Sequence, residues 1–331
     1  MMRTSRQGYT DGIGETVITN PHQVLLAGDQ KPVMKNSNKK QLLLWANESI
    51  FEPFSKRVTE YTMQSNSFSH KRYFVGGFPR SGTTWICRMV AHYLALPWFD
   101  MDDPVLGFRG VMHHHWNYHP TLKQSVYVIR DGRDVMVSKY VRKMKGYVAR
   151  KEDLSDLGKY SPVKGLAYTG GRFASVARQF KHLYGSKFDP WDVEHNMTKY
   201  IEYEMQEPSD PGTKSPWPVH VRDWLEHVEV ITAVKYEDML MDPESTLSGL
   251  LEDYLDEAPN QEEVSHIVDR FSFKRLTGRS PGEEDRGSFA RKGIHGDWRN
   301  YFNAASRALF NDYAGDLLIE LGYERDDNWV K

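Results

Sequence analysis

The stretch "VGGFPRSGTTW" (residues 75–85) follows a short β-branched and aromatic run, "RYFVGG" (72–77), and leads into "TTWICRMVAHYLAL". The run reads as a buried strand. The segment beyond the loop has helical apolar spacing and stops before Pro97. A glycine-rich loop between strand and helix is the setting of the phosphate loop G-x-x-x-x-G-K-[ST]. There backbone N–H groups and the helix dipole hold phosphate oxygens, and lysine reaches the β and γ phosphates. Gly77, Gly82 and Thr84 keep that spacing, but Thr83 stands at the lysine position and the cation has moved to Arg80. The backbone donors and the dipole remain, so the loop can hold an oxyanion. Without the lysine it suits a single 5′ phosphate with a leaving-group bond beside it better than a magnesium-bridged triphosphate. A plain structural turn is the alternative.

Further along, "SVYVIRD" (125–131) reads as a second buried strand, "VMVSKYVRKM" as a helix, and "VEVITAVKYEDM" (228–239) as a third strand entering a turn. Strands alternating with helices predict an α/β, phosphate-loop-like fold: a central, mainly parallel sheet with helices on both faces. The 331 residues are 39% hydrophobic and 13% aromatic, enough for a sizeable core. Residues 1–35 read as a loose N-terminal segment and 36–331 as one domain. Within it, 145–216 is aromatic but aperiodic and reads as a substrate cap, or as aromatics packed locally on the helices. A second aperiodic stretch, "TGRSPGEEDRGSFARKGIHGDW" (277–298), reads as loop.

A formal net charge of −2 argues against nucleic acid as a partner. A single cysteine, Cys87, excludes an internal disulfide and cysteine-based zinc sites. With no window resembling a signal peptide or a membrane span, a cytoplasmic location without membrane partners is expected.

"PRSGTTW" resembles the 5′-phosphosulfate loop of the sulfotransferases that use 3′-phosphoadenosine 5′-phosphosulfate (PAPS), and three further motifs extend the resemblance to residue 302. "YVIRDGRDVMVSKY" is similar to that family's 3′-phosphate segment, which implies that Arg130 and Ser138 contact the 3′ phosphate. "KYEDM" (235–239) resembles the segment whose tyrosine lies near adenine, here Tyr236. "RKGIHGDWRNYF" (291–302) resembles the late loop that closes on the 3′ phosphate with Arg291, Lys292 and Gly293. Phe273 and Trp85 would be the aromatic neighbours of adenine. The resemblance implies that Arg80, Ser81, Gly82, Thr83 and Thr84 hold the 5′ phosphosulfate, with the product 3′-phosphoadenosine 5′-phosphate (PAP) left behind and no metal required. Arginine's planar fork suits bidentate phosphate contact. Arg133 and Asp134 read instead as a surface ion-pair cluster capping the helix.

"GVMHHHWNYHP" (110–120) holds four histidines. In the family a strand ending Lys-Thr-His supplies the catalytic base, and "HWNYHP" fits that pattern from His115. His113 then stands at the family's lysine and His114 at its threonine; a frame shifted by one makes His114 the base. A neutral imidazole can accept a hydroxyl proton near neutral pH. His113 and His115 on one strand face, with His119, could alternatively bind zinc, or the run could be structural.

The expected function is therefore transfer of a sulfuryl group from PAPS to a hydroxyl of a small-molecule acceptor, with His115 as base and Arg80 as charge stabiliser. The alternatives are a nucleotide or small-molecule kinase and a non-catalytic nucleotide-binding module. A kinase lacks support because the second strand ends in Arg130 rather than an aspartate for magnesium. "PWPVHVRDWL" (216–225) also resembles a family segment and is expected to help shape the acceptor pocket. The family's C-terminal dimer motif is not visible in "NYFNAASRALFNDYAG", which leaves the oligomeric state open.

Overall fold

The computed structural model describes residues 73–100, 110–122, 124–156, 180–185, 187–207, 213, 215–288 and 290–331. The N-terminal segment and much of the 145–216 region lie outside these residues.

Five strands form one sheet: β1 (Tyr73–Gly77), β2 (Trp98–Asp100), β3 (Val111–His114), β4 (Ser125–Ile129) and β5 (Thr232–Lys235). Their order is β2-β3-β1-β4-β5 and every pairing is parallel. Side chains alternate between the two faces, as the strand repeat requires. Phe74, Met112, Tyr127 and Ile129 pack on one face, against a cluster that includes Met136, Tyr140, Tyr200, Trp217, Trp224 and Phe310. These come from the helices α2 (Gly132–Asp156), α3 (Val193–Gln206), α4 (Trp217–Leu225) and α9 (Ala304–Glu320). Val75, Val111, Val126 and Val128 face the other way, onto Ile86, Val90, Leu247, Leu251, Val264 and Ile267. Those belong to α1 (Thr83–Tyr93), α6 (Pro243–Leu255) and α7 (Gln261–Arg270). Two short helices, α5 (Tyr236–Met241) and α8 (Phe273–Thr277), complete the elements used below. The expected parallel sheet with helices on both faces is what forms.

Boundaries differ at two strands. β4 stops at Ile129, leaving Arg130 and Asp131 to turn the chain into α2. β5 is only Thr232–Lys235. Its expected beginning is a turn after α4, closed by Val230 N–H on the carbonyl of His227 (3.0 Å), with Val228 55% exposed. Its expected end is the first turn of α5, because Tyr236 is already helical. The valines of 228–230 alternate like a strand but have no sheet face to bury against.

β1 is central. From it the chain passes through α1 to β2 and β3 on one side, then crosses to β4 on the other. In open parallel sheets ligands bind at such a reversal, outside the carboxyl ends of the strands. Here those ends are Gly77, His114 and Ile129. Among the described residues no helix is long and apolar enough to cross a membrane.

Candidate active site

The glycine loop fills the space between the end of β1 and the start of α1. Gly77 admits no side chain: a Cβ there would lie 2.7 Å from the carbonyl of Val128 and 2.8 Å from Thr83 Oγ1. Gly82 is the N-cap of α1 at φ +86°, and its Cβ would lie 2.4 Å from the ring of Tyr236. No side chain caps the helix, so its first N–H groups are left for an anion. Ser81 N–H is spent within the loop, donating to the carbonyl of Phe78 (3.1 Å). The side chain of Thr83 points back at Gly77, so Thr83 offers the site its backbone alone. A Gly82→Ala substitution should therefore fail twice, on backbone conformation at about 1–2 kcal/mol and on the collision with Tyr236. The expected readout is a melting temperature lowered by several degrees and an anion site distorted in the protein that still folds.

The cations converge from the other segments. Arg80, itself at φ +76°, donates from Nε to Ser138 Oγ on α2 (3.0 Å). Its carbonyl accepts Nη1–H of Arg130 (3.0 Å). The Arg130 guanidinium lies 4.4 Å from the centre of the Tyr236 ring. Burial opposes its charge, but Tyr236, Asp134 and Glu237 together hold it more firmly protonated than an ordinary arginine. Trp85 meets Tyr236 edge-on at 5.9 Å and is anchored by Nε1–H to the carbonyl of Phe271 (2.8 Å). Sequence reading thus brought Arg80, Ser138, Arg130, Tyr236 and Trp85 to one place, and they are found there.

The late loop carries Arg291, Lys292 and Gly293. Gly293, at φ +63°, lies so close to Phe273 that a Cβ would be 2.3 Å from its ring. Arg291 and Lys292 are held by carboxylates that the sequence did not single out. Arg291 pairs with Glu284 (2.5 Å) and with Asp297, and Lys292 pairs with Asp297 (2.8 Å). Burial alone would raise the Asp297 carboxyl; Lys292, Arg291 and Asn300 bring it below the usual carboxylate range. Asp134, expected on the surface, is buried, and accepts the N–H groups of Gly296 (2.6 Å) and Trp298 (2.9 Å), which ties the late loop to α2. Arg133 is likewise only 1% exposed, forked onto Asp131 and stacked 3.9 Å from the Trp298 ring centre. Their spacing in sequence resembles a solvated cap; the cover supplied by residues from 296 onwards, over 160 positions away, is not visible there.

The histidines separate by face. His115, just past β3, donates from Nδ1 to the carbonyl of Gly77 (2.7 Å). That fixes Nε2 as its basic nitrogen. His114 points to the opposite face, fully buried and stacked on Trp116 at 4.9 Å; burial holds its pKa well below the ordinary value. No acceptor can reach it, so His114 is removed as the alternative base. His119 bonds Thr121, through both its hydroxyl (2.8 Å) and its N–H (3.3 Å), and so closes its own turn. Among the described residues no group of three metal-binding side chains gathers.

His220 was missed. Fully buried on α4, it donates from Nε2 to the carbonyls of Trp116 (3.1 Å) and His115 (3.3 Å) and receives Tyr127 OH at Nδ1 (2.9 Å). Asp223 of the same helix takes Tyr118 N–H (2.9 Å). The segment 216–225 therefore braces the backbone that carries His115. Burial depresses the His220 pKa to about 4. The unfolded chain takes up this proton near the ordinary histidine value while the folded protein does not, so stability present above that value is lost as pH falls towards 4. Urea midpoints should drop between neutral and mildly acidic pH, less steeply in His220→Gln.

The described aromatics of the 145–216 region stack on one another: Phe180 on Tyr184 (5.8 Å) and Tyr200 (6.3 Å), and Tyr184 on Phe188 (4.8 Å). For these residues local packing is the arrangement found.

A family model described as "Sulfotransferase domain" matches residues 122–322. The dog protein "Sulfotransferase 1A1" is 24% identical over 273 residues, covering 72% of this chain and 81% of the relative. The bovine protein of the same name is 33% identical over 107 residues, 28% of this chain and 36% of the relative. Among solved structures, mouse sulfotransferase SULT7A1 complexed with PAP has a TM-score of 0.53 at 18% identity, covering 84% of this chain and 95% of that one. Retinol dehydratase, in complex with androsterone and PAP, has a TM-score of 0.50 at 15% identity, covering 86% and 94%. At such identities the structural likeness speaks for the fold, and the family model, spanning well over half the chain, speaks for descent: this chain belongs to the sulfotransferase family.

Proposed function

We propose that this protein is a PAPS-dependent sulfotransferase acting on a hydroxyl of a small molecule, with His115 as the base. The observation that carries the reading is the meeting, at the carboxyl ends of β1, β3 and β4, of an uncapped helix start, an arginine pair and a histidine whose Nδ1 is anchored on the loop itself. Buried polar atoms support the fit of an anionic nucleotide. Ser81 Oγ and Arg130 Nε have no hydrogen-bond partner among the described residues, a cost of about 1–3 kcal/mol each that a phosphate oxygen would relieve. Relatives named for hydroxysteroids, such as a guinea pig 3-alpha-hydroxysteroid sulfotransferase 25% identical over 146 residues, support a small hydroxyl-bearing acceptor.

Bound PAPS would supply the activated sulfuryl group. The N–H groups of Gly82 to Thr84 would hold the 5′ phosphate end, and Arg130 with Ser138 the 3′ phosphate. Arg80, hydrogen-bonded to Ser138, adds charge between the two. Tyr236, Trp85 and Phe273 offer aromatic surface for a base. His115 accepts the acceptor hydroxyl proton at Nε2 while Gly77 keeps the ring in place, and His220 fixes the backbone beneath. The test is incubation with radiolabelled PAPS and a panel of phenols and alcohols. Label transferred to a hydroxyl supports the reading; label that stays on the donor across a broad panel, with PAP bound, would leave a nucleotide-binding module.

A further inference from the structure

Arg279 has no part in this scheme, yet it holds together the loop that carries Arg291, Lys292 and Gly293. Its place is set at the end of α8. Gly278, at φ +72°, caps that helix and turns the chain, and Arg279 N–H donates to Thr277 Oγ1 (3.1 Å). The side chain then lies over Phe273, with the guanidinium carbon 5.1 Å from the ring centre. Among the described residues its nitrogens donate to three backbone carbonyls: Nη1 to those of Glu283 (2.6 Å) and Arg291 (2.7 Å), and Nη2 to that of Ala290 (2.6 Å). Glu283 belongs to the outgoing arm of the loop, Ala290 and Arg291 to the returning arm. Backbone hydrogen bonds cross between the same arms, from Gly282 N–H to the Lys292 carbonyl (2.8 Å) and from Asp285 N–H to that of Arg291 (3.1 Å). Arg279 thus ties the two arms to each other and to the ring that Gly293 packs against.

Building on the reading of this pocket as a PAP site, we propose that Arg279 is a positioning residue for the 3′ phosphate: its planar fork holds the returning arm, and with it Arg291 and Lys292, at the Arg130 end of the site. That end is the right one, since the Arg291 charge reaches Arg130 and works against its protonation. Carbonyls drawn to one point repel unless a cation lies between them. A guanidinium presents N–H donors from separate nitrogens in one plane, which suits the neighbouring carbonyls of residues 290 and 291. A lysine ammonium carries the same charge but has no plane to lay on Phe273. The grip on Glu283 also fixes its neighbour Glu284, whose carboxylate pairs with Arg291 (2.5 Å). Losing Arg279 would therefore release Arg291 and its counter-ion together. Arg279 acts through Arg291 and Lys292.

The test uses the full chain and two nucleotides. Calorimetry compares PAP with adenosine 5′-phosphate, which lacks the 3′ group, so the ratio of the two affinities isolates the 3′ phosphate. Arg279→Ala is expected to lower that ratio about tenfold, the value of one hydrogen bond to a charged group. Arg279→Lys is expected to recover only a small part. A general loosening of the protein weakens both nucleotides alike and leaves the ratio unchanged. Amide hydrogen exchange of the ligand-free protein is the second arm. In Arg279→Ala the N–H groups of Gly282 and Asp285 should exchange faster, while those of Gly296 and Trp298, held by Asp134, stay protected. A ratio fully restored by lysine, or exchange at Gly282 and Asp285 that matches the wild type, overturns the role. A wild type that binds both nucleotides equally defeats the PAP reading and this role with it; a wild type that prefers PAP, with the ratio unchanged in Arg279→Ala, overturns the role of Arg279 alone.

Discussion

Replacing His115 by alanine is expected to lower kcat by about 100- to 10,000-fold, the usual contribution of a positioned general base, while PAP affinity changes little. The expectation rests on where the imidazole is held. Its Nδ1 is committed to the carbonyl of Gly77 at 2.7 Å, so the ring's basic nitrogen is Nε2 and its position is tied to the loop that would carry the donor. Neither His114 nor His119 can take over. His114 lies on the opposite face under Trp116, and His119 closes its own turn on Thr121. The variant should keep its fold, because His220 braces the backbone at residues 115 and 116 rather than the His115 side chain. Single-turnover rates together with PAP titration check it, and a variant that turns over at the wild-type rate would remove His115 from the chemistry.

Arg130→Ala is expected to weaken PAP binding by about 2–5 kcal/mol, the cost of deleting one partner of a buried, hydrogen-bonded charge pair, or roughly thirty- to several-thousand-fold. Arg130 does more than contribute charge. Its Nη1 holds the carbonyl of Arg80, its face covers Tyr236, and Tyr236 in turn fills the space that Gly82 leaves open. Losing it should relax the loop as well as the 3′ end. Arg130→Lys restores the charge but not the planar fork, and is expected to recover only part of the affinity. Equal affinity of wild type and Arg130→Ala would place the bisphosphate elsewhere.

The elements that sequence reading located correctly are those whose signal is local. "VGGFPRSGTTW" announces its turn because Gly77 and Gly82 have no room for a side chain, and Arg130 announces the end of β4 because it interrupts an apolar run. The features it missed depend on residues far apart. Asp134 meets Gly296 across 162 positions, His220 meets Trp116 across 104, and Glu237 accepts the N–H of Asp131 across 106. No spacing rule announces such partners. The valines before Thr232 misled in the opposite direction, since alternation without a face to cover does not make a strand.

The most direct test of the central claim is calorimetric titration of the intact protein with PAP, set against ATP with magnesium. The account predicts tight, metal-independent binding of PAP and little or none of ATP, because the arginine pair awaits a 3′ phosphate and the loop lacks the lysine that ATP requires. Preferential, magnesium-dependent binding of ATP would contradict it and would make the site that of a kinase.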